Sequence, residues 1–465
     1  MTPIATLLWA TGVIVLFVLD RNRKERTSPA LWLPIAWLSI IGSRAVSQWL
    51  QLDTVGTASQ YLEGSPLDRD VYAVMVLLGI IVLLGRTKAV WRLLRGNAPI
   101  FIFLAYCAIS IVWSDFPDVA FKRWIKFLGD HVMVLIVLTD PNWKWAVKKV
   151  FARVGFLLLP ASVLFIKYYP DLGRSYGRWE GKQSYTGVAL DKNMLGMACL
   201  IFGLPALWRV LQEIRERRIS FRNRPLVAQT ILLAAALWLL WMANSMTSSS
   251  CFLFAACVIA ATTFGKIGRR PARVHWLVGG VVLTSFSVLF LNLGSFVLAA
   301  VGRDSTLTGR TDIWASVLAL ATHRWVGTGF ESFWLGPRLE TIWKQYWFHP
   351  IEAHNGYLET YLNLGWVGIG LLAVLMVTGY RNVIRMLKWD PESARIRLGF
   401  IVVGLTYNFT EAAVHTQCLV WLAFLLAAMK LPQPKPAKLQ KAQPSAEPVG
   451  LEESNLASLD PAHTF

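Results

Sequence analysis

Long apolar runs alternate with short polar connections along the chain, at 3 to 19, 31 to 50, 71 to 85, 99 to 113, 123 to 139, 147 to 168, 188 to 208, 226 to 243, 250 to 265, 274 to 300, 357 to 380, 397 to 412 and 418 to 430. A helix crosses the hydrocarbon of a bilayer with about 20 apolar residues, within a range of roughly 17 to 25. The pattern predicts an all-α protein, a polytopic transmembrane helical bundle of 12 to 13 helices; the lower count allows for the two short final runs and for Lys126 and Asp130 inside the fifth. One stretch breaks the rhythm, the 55-residue loop 302 to 356. Within it Thr311 to Thr322 has helical periodicity, Gly327 and Gly329 interrupt it, and Phe330 to Phe348 is aromatic and amphipathic, as expected of a short helix lying flat at a membrane surface. The division that follows is an N-terminal bundle of about ten helices (1 to 301), the large loop (302 to 356), C-terminal helices (357 to 430) and a disordered Pro, Gln and Ser-rich tail (431 to 465).

Charge orients these spans, because Lys and Arg resist translocation and collect on the cytoplasmic side. Basic connections at 21 to 26, 86 to 95, 144 to 153, 209 to 224, 266 to 273 and 381 to 397 alternate with connections nearly free of Lys and Arg, and the tail adds further lysines. The expected orientation puts the basic side and tail in the cytoplasm and the large loop in the periplasm. Two outward connections nevertheless keep positive charge: Arg174, Arg178 and Lys182 in 169 to 187, and Arg303, Arg310, Arg324, Arg338 and Lys344 in 302 to 356. Long loops translocate regardless of charge, which explains the second but less well the first. An anionic ligand at the outer face explains both.

Composition narrows the classes. With 55% hydrophobic and 16% charged residues the chain lacks the charge of a soluble surface. The net charge of +18 is parcelled out between apolar runs and not gathered on one face, which argues against nucleic acid. Five cysteines lie in apolar segments without CxxC or zinc-ligand spacing and read as packing residues. The first run lacks a basic leader and a small-residue cleavage site, so it reads as a retained helix. Asp68, Arg69 and Asp70 form a DxD triplet, but roughly 0.4 such triplets arise by chance with this Asp content, so no metal site is assigned. Lys126 and Asp130 read as an i,i+4 pair, and Arg44 as an intramembrane cation without a visible partner that could line a lipid groove.

The chemistry concentrates in the large loop and its exit. Arg310, Asp312, Glu331, His349, Glu352, His354 and Asn355 bring donors, acceptors and a near-neutral base into one outward segment. GR, a Trp-containing helix, GTGFESF and then HNGYLETYLNLGWVGIGLL resemble the shared core of the bacterial O-antigen ligase and O-antigen polymerase superfamily. Upstream, GRSYGRWEGKQSYTGVALDKNMLGMACL resembles the exopolysaccharide-production polymerases, with Lys192 and Asn193 retained but Asp191 where that family often has His.

The resemblance implies glycosyl transfer from an undecaprenyl-diphosphate-linked glycan to an acceptor hydroxyl, in the inner membrane of a bacterium, with no cofactor and no nucleotide sugar. Its implied partners are lipid-linked donor and acceptor, membrane lipids, and chain-length regulator and export proteins. A leaving diphosphate needs fixed cations; Arg310, Arg178, Arg174 and Arg303 are the expected set. An attacking hydroxyl needs a base; His354 is the expected one, Glu331 the reserve, with Asn355, Lys192 and Asn193 positioning substrate. The DKNMLG segment favours a polymerase over a ligase. A transporter is the rival from another class, but no internal repeat or midplane polar cluster supports it.

Overall fold

The computed structural model describes residues 2–22, 26–52, 64–176, 183–218, 220, 222–290 and 308–433. The expectations placed on Arg178, Lys182 and Arg303, and on the tail beyond 433, lie outside these residues. Sixteen helices matter here: α1 (Thr2–Leu19), α2 (Trp32–Ile41), α3 (Pro66–Leu84), α4 (Thr87–Gly96), α5 (Ala98–Ile109), α6 (Pro117–Leu138), α7 (Trp143–Tyr168), α8 (Lys192–Arg215), α9 (Arg224–Ala243), α10 (Met246–Phe264), α11 (Pro271–Phe290), α12 (Thr308–Ala319), α13 (Gly336–Gln345), α14 (Gly356–Met386), α15 (Pro391–Tyr407) and α16 (Leu419–Ala428). Within the described residues each apolar run of the sequence meets one of them; residues 291 to 300 of the tenth run lie outside. The protein is a polytopic helical bundle, and among the described residues six helices are long and apolar enough to cross a membrane; α3 and α4, bent by 99°, could add a seventh.

Packing follows from which helices are apolar all round. Such a helix belongs in the interior, and all ten residues of α16 are buried. It lies against α15, α14, α6 and α8, with Trp421 stacked between Phe127 and Phe424 at centroid distances of 5.6 and 5.5 Å. α1, by contrast, leaves most of its apolar surface outward, as a lipid-facing helix does. Where α16 ends, the buried guanidinium of Arg397 donates through Nη1 to the Met429 and Ala427 carbonyls at 2.8 and 3.4 Å, satisfying helix-end acceptors that have no intrahelical partner.

α14 is broken. Gly365 has φ 63°, a conformation that L side chains rarely adopt, and the freed backbone pairs with the middle of the large loop: Trp366 N–H donates to Arg324 O, and Val367 N–H to Trp325 O. Thr328 and Gly329 N–H donate in turn to Leu362 and Asn363 carbonyls. The Gly327 and Gly329 interruption seen in the sequence is thus a docking turn against a helix break. Irregular backbone at membrane depth persists only where protein buries it, and this exchange does so.

The aromatic stretch differs from expectation. It does not present its apolar face outward: Phe333, Trp334, Leu339 and Ile342 turn inward with Ile313, Val317, Ala353 and Leu362 to form a small second core. The large loop is therefore a packed cap in which α12 and α13 are held by their own apolar contacts, leaving Trp347 and Trp325 exposed.

Candidate active site

His354 is aimed by its neighbours on both sides. Ala353 before it is fixed at both backbone groups: its N–H donates to Glu359 Oε1 at 2.5 Å and its carbonyl accepts from Trp314 Nε1 at 2.8 Å. Asn355 after it is the N-cap of α14, its Oδ1 accepting from Tyr357 and Leu358 N–H at 3.1 and 3.0 Å, the short polar acceptor such a position requires. Between them His354 is held at φ 51°, a strained left-handed conformation that only an over-determined surrounding maintains. Asn355 thus serves the helix, and its Nδ2 faces Phe409 O.

The imidazole meets two carboxylates at one nitrogen. Nδ1 lies 2.9 Å from Glu352 Oε1 and 2.9 Å from Glu411 Oε2. Glu411 also faces Arg310, whose Nη2 is 3.4 Å from Oε1 while Nη1 donates to Thr410 O at 2.7 Å. Burial alone would push the His354 imidazolium down, but the two carboxylates outweigh it and raise it to about 10. For Glu352 burial alone would push upward, and the imidazolium overrides it and holds the carboxyl below its usual range. The expected near-neutral base is therefore an imidazolium in the resting site. Glu352, His354 and Glu411 also form the one described cluster with metal-ligand geometry, its ligand atoms within 4.8 Å of one another.

Glu352, His354 and Glu411 face a cavity of about 800 Å3 that collects the ends of several helices, whereas Arg310 stands behind Glu411 and is not in its lining. Lys192 and Asn193, which begin α8, line it beside Glu352, His354, Glu411 and His415. The Asp191 that replaces the expected His caps α8, its Oδ1 accepting from Asn193 and Met194 N–H at 2.7 and 2.9 Å. A short antiparallel hairpin, Arg174–Tyr176 with Gln183–Tyr185, contributes Ser175 and Ser184. Arg174 does not line the cavity; its Nε donates to Ile166 O at 2.9 Å and its guanidinium lies 5.9 Å from the Tyr185 ring, so it braces the hairpin.

Glu331 is likewise a brace. Its carboxylate accepts from Thr416 N–H at 2.6 Å and Oγ1 at 3.2 Å, while the buried Asp130 accepts from Gln417 N–H at 3.1 Å and Trp37 Nε1 at 2.7 Å. Two carboxylates from different elements thus hold the 408 to 418 turn that carries Glu411 and His415. The i,i+4 pairing expected for Asp130 is not made, since Lys126 lies over the Tyr72 ring at 5.4 Å instead. Arg44 has partners after all, the carbonyls of Leu172 and Ala189, because the chain returns beside it after α7. In the DxD triplet Asp68 is consumed by Ser47, from N–H at 3.0 Å and Oγ at 2.5 Å, and Asp70 pairs with Arg69.

Glu411 and His415 were missed in the sequence. The available signal was a carboxylate inside an apparent span: the run 397 to 412 contains Glu411 with no partner nearby in sequence, and such residues by default mark function.

Helical bundle and charged cleft define a multi-pass membrane protein with a polar cavity at one end. Residues 230–373 match the family described as O-Antigen ligase, a stretch that includes Arg310, Glu331, Glu352, His354 and Asn355. Over 312 residues, 63% of this chain and 67% of the relative, the sequence is 26% identical to the exopolysaccharide production protein ExoQ of Rhizobium meliloti (strain 1021). Both findings bear out the resemblance to the O-antigen ligase and polymerase superfamily.

Proposed function

We propose, for this membrane enzyme of polysaccharide biosynthesis, that the reaction is glycosyl transfer from a polyprenyl-diphosphate-linked glycan to a hydroxyl of a second lipid-linked glycan, lengthening an exopolysaccharide or O-antigen in the periplasm. The observation that carries it is the pairing of two compartments. The polar cavity with Lys192, His354, Glu352 and Glu411 shares Ile40 and Ser43 with an apolar pocket of about 440 Å3 between α1, α2 and α7. A donor with a charged head and a hydrocarbon tail needs both.

In this reading the acceptor oxygen attacks the anomeric carbon as its bond to the diphosphate breaks, and the diphosphate departs on its lipid. The His354 imidazolium, Arg310 and Lys192 face the negative charge that develops there, as fixed cations do best in a dry site. Because His354 already carries its proton, the proton lost by the acceptor goes to Glu352, which the imidazolium holds ready as a carboxylate. Asn193 and Asn355 position substrate and helix respectively, and Glu331 acts through the turn that it anchors. Arg174, Arg178 and Arg303 remain proposed as outer contacts of the diphosphate-linked donor.

Deleting the gene tests the reaction: single lipid-linked repeat units should accumulate. Accumulation of full-length lipid-linked chains would instead support a ligase, the second reading, which the matched family description favours. Replacing His354 or Arg310 by Ala should lower polymer at least about 100-fold at equal membrane abundance; unchanged polymer would overturn the assignment.

A further inference from the structure

A second cavity, of about 600 Å3, lies at the other end of the bundle. α8 begins with Lys192 at the active-site cavity and ends with Arg215 at this one, and α15 runs between the same two ends, from Pro391 here to Tyr407 there. At about 1.5 Å per residue, the 24 residues of α8 span roughly 36 Å, a full bilayer core. This second cavity is walled by Arg215, Lys388 and Arg395, with Phe264 and Leu387 beside them.

Its cations lack a direct ion-pair partner among the described residues. Arg395 is buried, and its Nε donates to Thr262 O at 3.1 Å, but its Nη groups have no hydrogen-bond partner among the described residues. The two acids near it are engaged elsewhere: Asp390 pairs with Lys144 at 2.8 Å and Glu392 with Lys148 at 2.8 Å. No carboxylate lines the cavity. A buried guanidinium whose nearby carboxylates are paired with other cations is costly unless something anionic or aqueous completes it, and a cleft lined by both cations and apolar side chains fits a phosphate carried on a lipid.

We infer that this cavity binds a phosphate group, supplied by the headgroup of an anionic phospholipid of the facing leaflet, with Arg215, Lys388 and Arg395 as its ligands. Basic pockets between membrane helices take such headgroups through the same charge complementarity. The site lies about a bilayer away from His354 and does not depend on the glycosyl-transfer reading.

The test is native mass spectrometry of the full-length protein, released from membranes of phosphatidylglycerol and phosphatidylethanolamine in equal amounts. Wild type should retain phosphatidylglycerol in preference, and Arg215→Gln with Lys388→Gln should lower that retention by about tenfold. Both residues are at the surface, so folding is not at risk; Arg395→Gln keeps a donor for Thr262 and should show the same loss. In a second arm, inorganic phosphate is added to protein in phosphatidylethanolamine alone, and a rise in melting temperature that the double variant lacks would assign the site to free phosphate. Equal lipid retention in wild type and all variants, with no phosphate-dependent shift, overturns the proposal.

Discussion

At the scale of single residues, the protonation state of His354 is decided by two neighbours and not by the histidine. Its value of about 10 lies above the ordinary 6.5, so the stabilisation from its carboxylate partners is fully present below about pH 6.5 and is lost as pH rises through about 10. Two outcomes follow from the sign. The melting temperature of wild type should exceed that of His354→Ala at neutral pH, and the gap should close toward pH 10. If the imidazolium is the active form, polymer synthesis should fall on the alkaline side, and Glu411→Gln should move that fall to lower pH by removing one anion that holds the proton. An alkaline limb at the same pH in both proteins would separate His354 from the rate. The sequence singled out His354 and Lys192 through motifs that resemble the family's and Arg310 as an arginine kept on the outward side, and the structure brings His354 and Lys192 to one cavity. Glu411 was not legible in the same way, since its meaning lies in a contact with His354 made 57 residues away in sequence.

At the scale of elements, apolar period and length found the bilayer-sized helices, because such a run leaves the chain few alternatives; α4, read from the sequence as the basic connection 86 to 95, is an amphipathic helix that length alone passes over. They could not show what the helices exchange. The break at Gly365 is the instructive case: the run 357 to 380 reads as one uninterrupted span, yet a Cβ at Gly365 would lie 2.2 Å from the Trp325 carbonyl carbon. Gly365→Ala combines that clash with positive φ and should lower stability by about 1 to 3 kcal/mol, separating the large cap from α14. Gly370, five residues on, has nothing within 4 Å of such a Cβ, and Gly370→Ala should leave the melting temperature unchanged or raise it. Thermal unfolding followed by tryptophan emission in detergent compares the two. Equal loss in both would mean that the break is a general weakness of the helix and not a docking joint. The aromatic stretch teaches the same lesson, since an amphipathic period cannot say whether its apolar face meets lipid or a core contributed by α12.

At the scale of the whole molecule, the two cavities give the bundle a direction that hydropathy lacks. One end carries His354, Glu411 and the α8 N-terminus; the other carries Arg215, Lys388 and Arg395. Basic connections around Arg215, Lys388 and Arg395 fall at the second end, and the exit of the large loop falls at the first, so the positive-inside rule predicts that the first cavity opens to the periplasm. Cysteine accessibility tests this directly, because the five native cysteines are free thiols and four of them are buried. With the exposed Cys257 replaced by Ser, Ile351→Cys, at the rim of the first cavity, should react with a membrane-impermeant maleimide in intact cells whose outer membrane has been opened. Lys388→Cys, at the second, should react only after the inner membrane is broken. The reverse pattern would turn the protein over, placing the reaction chamber in the cytoplasm, where a glycan already carried across on its lipid could not reach it. Labelling at both positions in intact cells would instead show that the bundle does not divide two compartments. Only the first pattern is compatible with a donor whose diphosphate is read from outside and with an anionic lipid gripped from within.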